Sequence, residues 1–312
     1  MMLLSCGDAL IDFVPTRAAD GREAVMPAVG GSCLNVAIGM ARLGAPTGFV
    51  GGLSTDMFGQ MIAAHAEASD VDLRYAARSD HQTTLAFVRI VAGESHYAFY
   101  DAETATRNWT YRRGSIPFET IEALHVGSTT LVNDTGAAET GALIADARAS
   151  STISFDPNCR PNLVKDKPSY AARMAEFAAN ADIVRMSDVD FTYLYRDEPY
   201  QQRADALLGQ GVSLVVITRG IDGAVAWHKT AGKIDVAAPK VTVADTIGAG
   251  DSFQAALLFA LHKQARLRRQ QLADIGADEL RRALSFAANC AGFTCTRPGA
   301  DPPRLSEIDW RW

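Results

Sequence analysis

The sequence predicts an α/β fold with a mainly parallel central sheet flanked by helices on both faces and a small β-sheet lid. Three observations carry that expectation. Through most of the 312 residues, short β-rich apolar runs alternate with longer runs of three-to-four-residue spacing, the pattern of a parallel sheet covered on both sides. Two stretches, 12–30 and 83–100, break the rhythm and are poor in helix signals, which places extra strands beside the main sheet. No repeat, low-complexity tract or linker divides the chain, so 1–312 is expected to be one domain with lid segments near 12–30 and 82–112.

In chain order, residues 2–6 read as a strand and 33–43 as a helix that stops at Gly44, a residue suited to a left-handed C-cap. Residues 47–51 then read as a strand and 56–68 as a helix, with Asp56 favourable at its N-terminus. Thr84-Leu85-Ala86-Phe87-Val88-Arg89-Ile90 alternates, turns at Ala92-Gly93-Glu94 and returns as His96-Tyr97-Ala98-Phe99-Tyr100, which predicts a hairpin. The later scheme is strand 124–126, helix 136–149, strand 152–156, helix 170–180, strand 182–184, helix 204–208 and strand 214–218. A strand-like Val241-Thr242-Val243 and an apolar helix at 254–262 follow.

Thirty basic residues against thirty-six acidic ones give a net charge of -6, which argues against nucleic acid as the main partner. Cys6, Cys33, Cys159, Cys290 and Cys295 are scattered without a paired metal-ligand spacing and suit a reducing cytoplasm. The opening residues lack a basic segment and reach Asp8 and Asp12 quickly, so no signal peptide is expected. The longest apolar run, 255–261, is too short to span a bilayer.

Chemistry is concentrated in Asp245-Thr246-Ile247-Gly248-Ala249-Gly250-Asp251-Ser252-Phe253. Small residues Gly248, Ala249 and Gly250 at a helix start leave backbone N–H groups unshielded, and the helix dipole adds positive potential, so an anion can be held there. Asp251 in the same turn would take a proton from an attacking hydroxyl while those groups absorb charge on a transferring phosphoryl. The plainer alternative is an Asp stabilising a glycine-initiated helix. The run lacks the Gly-Lys-Ser/Thr ending of a P-loop, and Phe253 stands where a Gly-x-Gly-x-x-Gly motif needs its third glycine. A second cluster, Gly30-Gly31-Ser32-Cys33-Leu34-Asn35, permits close backbone approach, while Asn35 and Asp12 offer partners to a polyol. On its own, Asn35 reads better as a buried cap of a tight packing turn.

Taken together, these motifs resemble the ribokinase-like PfkB family of carbohydrate kinases, most closely its fructokinases. The resemblance runs from Cys6-Gly7-Asp8-Ala9-Leu10-Ile11-Asp12-Phe13-Val14-Pro15 to Arg297-Pro298-Gly299-Ala300-Asp301-Pro302-Pro303. It implies an ATP-dependent kinase in which Asp251 is the base, Gly248, Ala249 and Gly250 form the anion hole, and Asp12, Gly31 and Asn35 hold sugar hydroxyls. Thr218-Arg219-Gly220-Ile221-Asp222-Gly223 matches the family's Thr-x-Gly-x-x-Gly turn, which gives Thr218, Gly220 and Gly223 to the nucleotide, with Asn289 a weaker match; without the family the turn is an ordinary hairpin connection. Asp156-Pro157-Asn158-Cys159-Arg160 resembles the fructokinase Asp-x-Asn-x-Arg element, in which Arg160 would neutralise phosphate charge. Ser187-Asp188-Val189-Asp190 stands where many members carry Asn-x-x-Glu, and Asp190 reaches less far toward Mg²⁺. In related kinases backbone carbonyls hold a monovalent ion, here at Asp245, Ile247, Thr294, Arg297 and Gly299, with K⁺ the candidate.

The lid implies a sugar. Kinases of 2-keto-3-deoxygluconate present a Tyr-x-Tyr-x-Arg-like lid to a carboxylate, whereas Asp101 follows Tyr97-Ala98-Phe99-Tyr100 here. If it faces the site, Asp101 would repel an anionic sugar unless Arg89 or Arg107 compensates. Ile11-Asp12-Phe13-Val14-Pro15 favours a neutral ketohexose, with 2-keto-3-deoxygluconate, ribose or a nucleoside as alternatives. An uncovered lid face also suggests a homodimer through the lid. Among other classes, an oxidoreductase lacks its glycine fingerprint after the first strand, and a non-catalytic sugar-binding regulator would not need an intact Asp251 and glycine run.

Overall fold

Met2–Cys6 forms β1, and the chain then makes a hairpin of β2 (Leu10–Arg17) and β3 (Glu23–Gly30) before helix α1 (Ser32–Arg42) returns it to β4 (Thr47–Ser54). Helix α2 (Met57–Glu67) and short strands β5 (Val71–Asp72) and β6 (Ala76–Ser79) lead to a second hairpin, β7 (Thr84–Val91) and β8 (Glu94–Tyr100). The computed structural model describes residues 1–91 and 94–312, with backbone alone at 90–91 and 94–96. The expected turn at Ala92-Gly93-Glu94 therefore lies mostly outside the described residues.

Strand and helix alternate from there: β9 (Ile121–Gly127), α3 (Asp134–Ala147), β10 (Thr152–Asp156), α4 (Lys167–Ala179), β11 (Ile183–Ser187), α5 (Asp188–Tyr195), α6 (Tyr200–Gln210) and β12 (Leu214–Thr218). Strands β13 (Ala224–His228) and β14 (Gly232–Val236) precede helices α7 (Ala249–Lys263), α8 (Arg269–Ala273) and α9 (Ala277–Thr294).

The main sheet runs β14-β13-β12-β11-β10-β9-β1-β4-β5, with β6 also beside β4. From β12 through β5 the pairs are parallel, and β13 and β14 add antiparallel strands at one edge. Alternation along each strand feeds two cores. Leu4, Ile153, Phe155, Val215 and Ile217 pack toward α3, α4 and α6 on one face. Leu3, Leu214 and Val216 pack toward α1, α7 and α9 on the other. Strand order reverses at β1, which lies between β4 and β9, and such a switch point opens a crevice at the carboxyl ends of the strands. Among the described residues no helix is long and apolar enough to cross a membrane.

One detail differs from expectation. Residues 241–243 are not a strand, because β14 already occupies the sheet edge and the chain beyond it is tied instead to the end of α9, Ala244 donating to the Cys295 carbonyl at 2.8 Å. Helix α7 begins at Ala249, within the glycine run expected to open it, and Gly248 at φ 75° turns the chain into the helix there.

The small sheet, ordered β3-β2-β7-β8, stands apart from the main one. Its register fixes which residues share a face: Asp12 lies opposite Ala86, and Ala86 opposite Phe99, while Phe13 lies opposite Phe87, and Leu85 opposite Tyr100. Asp12 and Phe99 therefore look one way, and Phe13, Phe87 and Tyr100 the other. The segment leaving this sheet is pressed onto β4, where a Cβ at Gly52 would run into the carbonyl of Ala105. Gly52→Ala is expected to push that segment off β4 and to cost about 2 kcal/mol or more in urea unfolding; unaltered stability would show that the segment moves aside freely.

Candidate active site

The carboxyl ends of the central strands and the starts of two helices converge on one cleft of about 1220 Å³. Helix α1 starts at Gly31, whose φ of 104° and tight contact with the Asp8 carbonyl admit no side chain. Asp8, buried just beyond β1, accepts from the N–H of Cys33 at 3.0 Å and from the hydroxyls of Ser128 and Thr129 at 2.8 and 3.1 Å. It joins the end of β1 to the first turn of α1 and to the chain beyond β9.

Helix α7 starts opposite. Ala249 donates back to the Thr246 carbonyl and Ser252 to that of Gly248. Among the described residues, the N–H groups of Gly250 and Asp251 between them have no protein acceptor. These are the donors an anion would take. Asp251 is 9% exposed, and its two oxygens accept from Ser32 Oγ at 2.7 Å and Asn35 Nδ2 at 2.9 Å. Burial lifts its carboxyl to about 6, against the pull of the Asn35 and Ser32 hydrogen bonds and the nearby Arg160. Burial likewise lifts Asp12 to about 6, opposed by Arg160 and reinforced by Asp8 and Asp251. Asn35 Oδ1 is buried without a hydrogen-bond partner, an acceptor that a ligand hydroxyl would satisfy.

On the third side, Arg160 follows β10 on the 156–160 loop, where Asn158 adopts φ 37°. Its Nη1 donates to Asn158 Oδ1 at 2.5 Å and to the Cys159 carbonyl at 3.0 Å. Beneath the glycine run lies Arg185 from β11, 5% exposed, paired with Asp156 at 2.5 Å and donating to Thr218 Oγ1 at 2.6 Å. Tyr97 and Phe99 cover the cleft from the lid, and Asn162 Nδ2 holds the Tyr97 carbonyl at 3.0 Å.

Asp251, Gly248, Ala249, Gly250, Asp12, Gly31, Asn35, Arg160, Thr218, Gly220, Gly223, Asp190 and Ile247 all line this cleft. Asn289 does not. It is exposed on α9 and donates to the Ser285 carbonyl, although its neighbours Ala288, Ala291 and Gly292 face the cleft. Asp190 lines the cleft with its oxygens already engaged, by Cys159 N–H at 2.8 Å and by the Ser187 hydroxyl and N–H at 2.7 and 3.3 Å. Its side chain closes the capping box of α5. Of the positions expected to surround a monovalent ion, Asp245, Ile247 and Gly299 touch: Asp245 accepts from Ile247 N–H at 3.1 Å and Gly299 N–H at 2.8 Å, and its own N–H reaches the Cys295 carbonyl, beside Thr294 in the chain.

Asp101 does not face the site. Arg107 Nε holds it at 2.8 Å while Nη1 donates to the Thr129 carbonyl, and neither residue lines the cleft. Arg89 shares the outward face of β7 with Phe87. Repulsion by Asp101 and compensation by either arginine are thus both absent. Sequence reasoning passed over Arg185, whose signal was a charged residue within Ile183-Val184-Arg185-Met186-Ser187, an otherwise buried strand. Ser32 and Asp8 stood inside recognised motifs without a role.

A family model described as "pfkB family carbohydrate kinase" matches residues 2–307. A fructokinase of Rhizobium leguminosarum bv. trifolii is 39% identical over 280 residues, covering 90% of this chain and 86% of that one. Among solved structures, a fructokinase from Xylella fastidiosa with bound ATP superposes with a TM-score of 0.89 at 27% identity, covering 98% of this chain and 96% of its own. A fructokinase from Vibrio cholerae O395 in a form with fructose, ADP and calcium ion gives 0.81 at 25% identity, covering 96% and 94%.

The raised carboxyl of Asp251 has two measurable consequences. The folded state holds that proton more tightly than the unfolded chain, so stability falls as pH rises from about 3.8 toward 6 and the burial penalty is complete above it. Asp251→Asn is expected to stabilise the fold by about 1–3 kcal/mol at pH 8; a destabilised variant would show that the carboxylate is well solvated by its partners. Ser32→Ala removes a hydrogen bond that favours the charged form, so the acid limb of kcat should move to higher pH, and an unmoved limb would detach Ser32 from that group.

Proposed function

We propose that this chain, which belongs to the pfkB family of carbohydrate kinases, transfers the γ-phosphoryl group of ATP to a hydroxyl of fructose. The observation that carries the reading is the buried Asp251 carboxylate, held by Ser32 and Asn35 beside the free N–H groups that start α7. A sugar hydroxyl beside Asp251 loses its proton to that carboxylate as its oxygen attacks phosphorus. The bond from phosphorus to the bridging oxygen of ADP breaks, and the Gly250 and Asp251 N–H groups take up charge on the transferring group. Asp12, Gly31 and Asn35 hold the remaining sugar hydroxyls from the lid side, with Arg160 at the phosphoryl. Thr218, Gly220 and Gly223 border the nucleotide, whose far end meets Ala288, Ala291 and Gly292 in place of Asn289.

Support for a neutral sugar comes from the charges facing it. Asp12 and Asp251 both front the sugar side, where Arg160 faces both of them and Arg185 is already paired with Asp156, so a carboxylated sugar would meet more like charge than opposite. The fructokinase names of the relatives point the same way.

When bound, Mg²⁺ neutralises the triphosphate. Among the described residues there is no group of three His, Cys, Asp or Glu that could hold a metal, so the ion would rest on phosphate oxygens and water, with Asp190 contributing through water only. The 245–247 and 294–299 segments would hold K⁺ through carbonyls and steady the start of α7. The outward lid face, with Val25 49%, Phe87 38% and Tyr100 63% exposed, is the surface for a second copy of the chain.

A panel of neutral and acidic sugars with ATP is expected to give the highest kcat/KM with fructose; preference for an acid sugar would overturn that choice. Asp251→Asn should cut kcat about 10²-fold or more with fructose Kd nearly unchanged. Asp12→Ala should weaken fructose binding by about 1–3 kcal/mol in calorimetry and leave ATP binding alone. Rates should be higher in potassium than in tetramethylammonium at equal ionic strength, and equal rates would remove the monovalent ion.

A further inference from the structure

Arg185 has no part in the transfer as described, yet its surroundings give it one. It rises from the middle of β11 between Asp156 at the end of β10 and Thr218 at the end of β12, and bonds to both. The guanidinium lies directly under the glycine run: a Cβ on Gly250 would stand 2.9 Å from Nη2 and 3.1 Å from Nη1. Its Nε is buried without a partner, so the side chain is not placed there merely to satisfy its own donors.

The hydrogen bond to Thr218 has a direction. A guanidinium only donates, so Thr218 Oγ1 accepts, and the hydroxyl proton must point away from Arg185. Among the described residues that proton has no acceptor, and Thr218 lines the cleft on the side assigned to the nucleotide. Without Arg185 the hydroxyl could rotate and present a lone pair, which a phosphate oxygen would repel.

We propose that Arg185 is a positioning residue that acts through Thr218, fixing its hydroxyl as a donor to the phosphates of the nucleotide. This rests on the kinase reading of the cleft, in which Thr218 borders ATP. Asp156 serves the same end by holding the guanidinium in one orientation: its second oxygen accepts from Asn158 N–H at 3.0 Å, so the carboxylate cannot turn.

The test measures binding of the non-hydrolysable β,γ-methylene analogue of ATP, and separately of fructose, by calorimetry with the wild type, Arg185→Met, Thr218→Val and the double variant. Thr218→Val and Arg185→Met are each expected to weaken the nucleotide about 10-fold, and the double variant no more than the worse single, because both remove the same bond. Fructose Kd should stay within about twofold, which also reports an intact fold. Multiplicative losses in the double variant, or unchanged nucleotide affinity in Arg185→Met, would overturn the proposal. Equal loss of sugar and nucleotide would overturn it too, marking Arg185 as a strut of the sheet. If Arg185→Met does not fold, Arg185→Met with Asp156→Asn removes both buried charges together and is compared with and without Thr218→Val in the same way. Turnover of fructose by the wild type stands apart from these measurements: its absence would sink the kinase reading, and normal turnover with uncoupled variants would sink this inference alone.

Discussion

The structure depends on one buried carboxylate shared by two helix starts. Asp251 belongs to α7 and takes its hydrogen bonds from Ser32 and Asn35 of α1, 219 and 216 residues away in the chain. Each helix brings its positive end to the same point, which makes a buried negative charge tolerable there and leaves an anion-binding surface beside it. The two helices must come close for this, and small residues let them: a side chain on Gly39 of α1 would strike Ala255 of α7. Gly31 and Gly248, at the N-caps, take positive φ that sends each chain sharply into its helix. Close helix packing and a buried acid with a raised pKa are thus two results of one arrangement.

Charge balance around the cleft follows from the same constraint. Asp156, Asp190 and Asp8 are all buried near Asp251, and each is neutralised by a different device. Asp156 has the Arg185 guanidinium, Asp190 a capping box and a backbone N–H, and Asp8 two hydroxyls and a backbone N–H. Burial outweighs the partners of Asp251 and Asp12 and lifts both carboxyls toward neutral pH, the range that suits a proton acceptor for a hydroxyl.

How much of this was legible in the sequence varied with the distance over which the signal acts. The alternation of strands and helices, the hairpin at 84–100 and the glycine runs are local, and they appear where expected. Short β5 and β6, and α5 between Asp188 and Tyr195, were missed because two to eight residues carry too little periodicity to register. Val241-Thr242-Val243 had strand composition and no free edge to join, a fact that only the order of the whole sheet contains. The side that Asp101 faces stayed open for a similar reason. Its partner Arg107 lies only six residues on, but whether the pair faces the cleft or the body depends on how the chain leaves the lid. Arg185 was legible as an anomaly in an apolar strand, though its partners on two neighbouring strands were not.

The lid shows how period two in a strand becomes a division of labour. One register places Asp12, Ala86 and Phe99 on the cleft side, and the neighbouring positions Phe13, Phe87 and Tyr100 on the other. The inward face supplies one carboxylate and an apolar cover, which suits a polyol whose hydroxyls need partners while water is kept from the phosphoryl. The outward face is a run of aromatic rings, Phe13 stacked on Phe87 at 4.7 Å and Phe87 against Tyr100 at 5.5 Å, with Phe58 of α2 edge-on to Phe13 at 5.7 Å. That last contact ties the lid to the body through α2, and Asp56, the cap of the same helix, accepts from Thr83 N–H and hydroxyl at 2.8 and 2.6 Å where β7 begins. A shift of one residue in the register would exchange the two faces, carrying Asp12 out of the cleft and the aromatic rings into it. The proposed sugar site therefore depends on lid pairing as closely as on the residues that would touch the sugar.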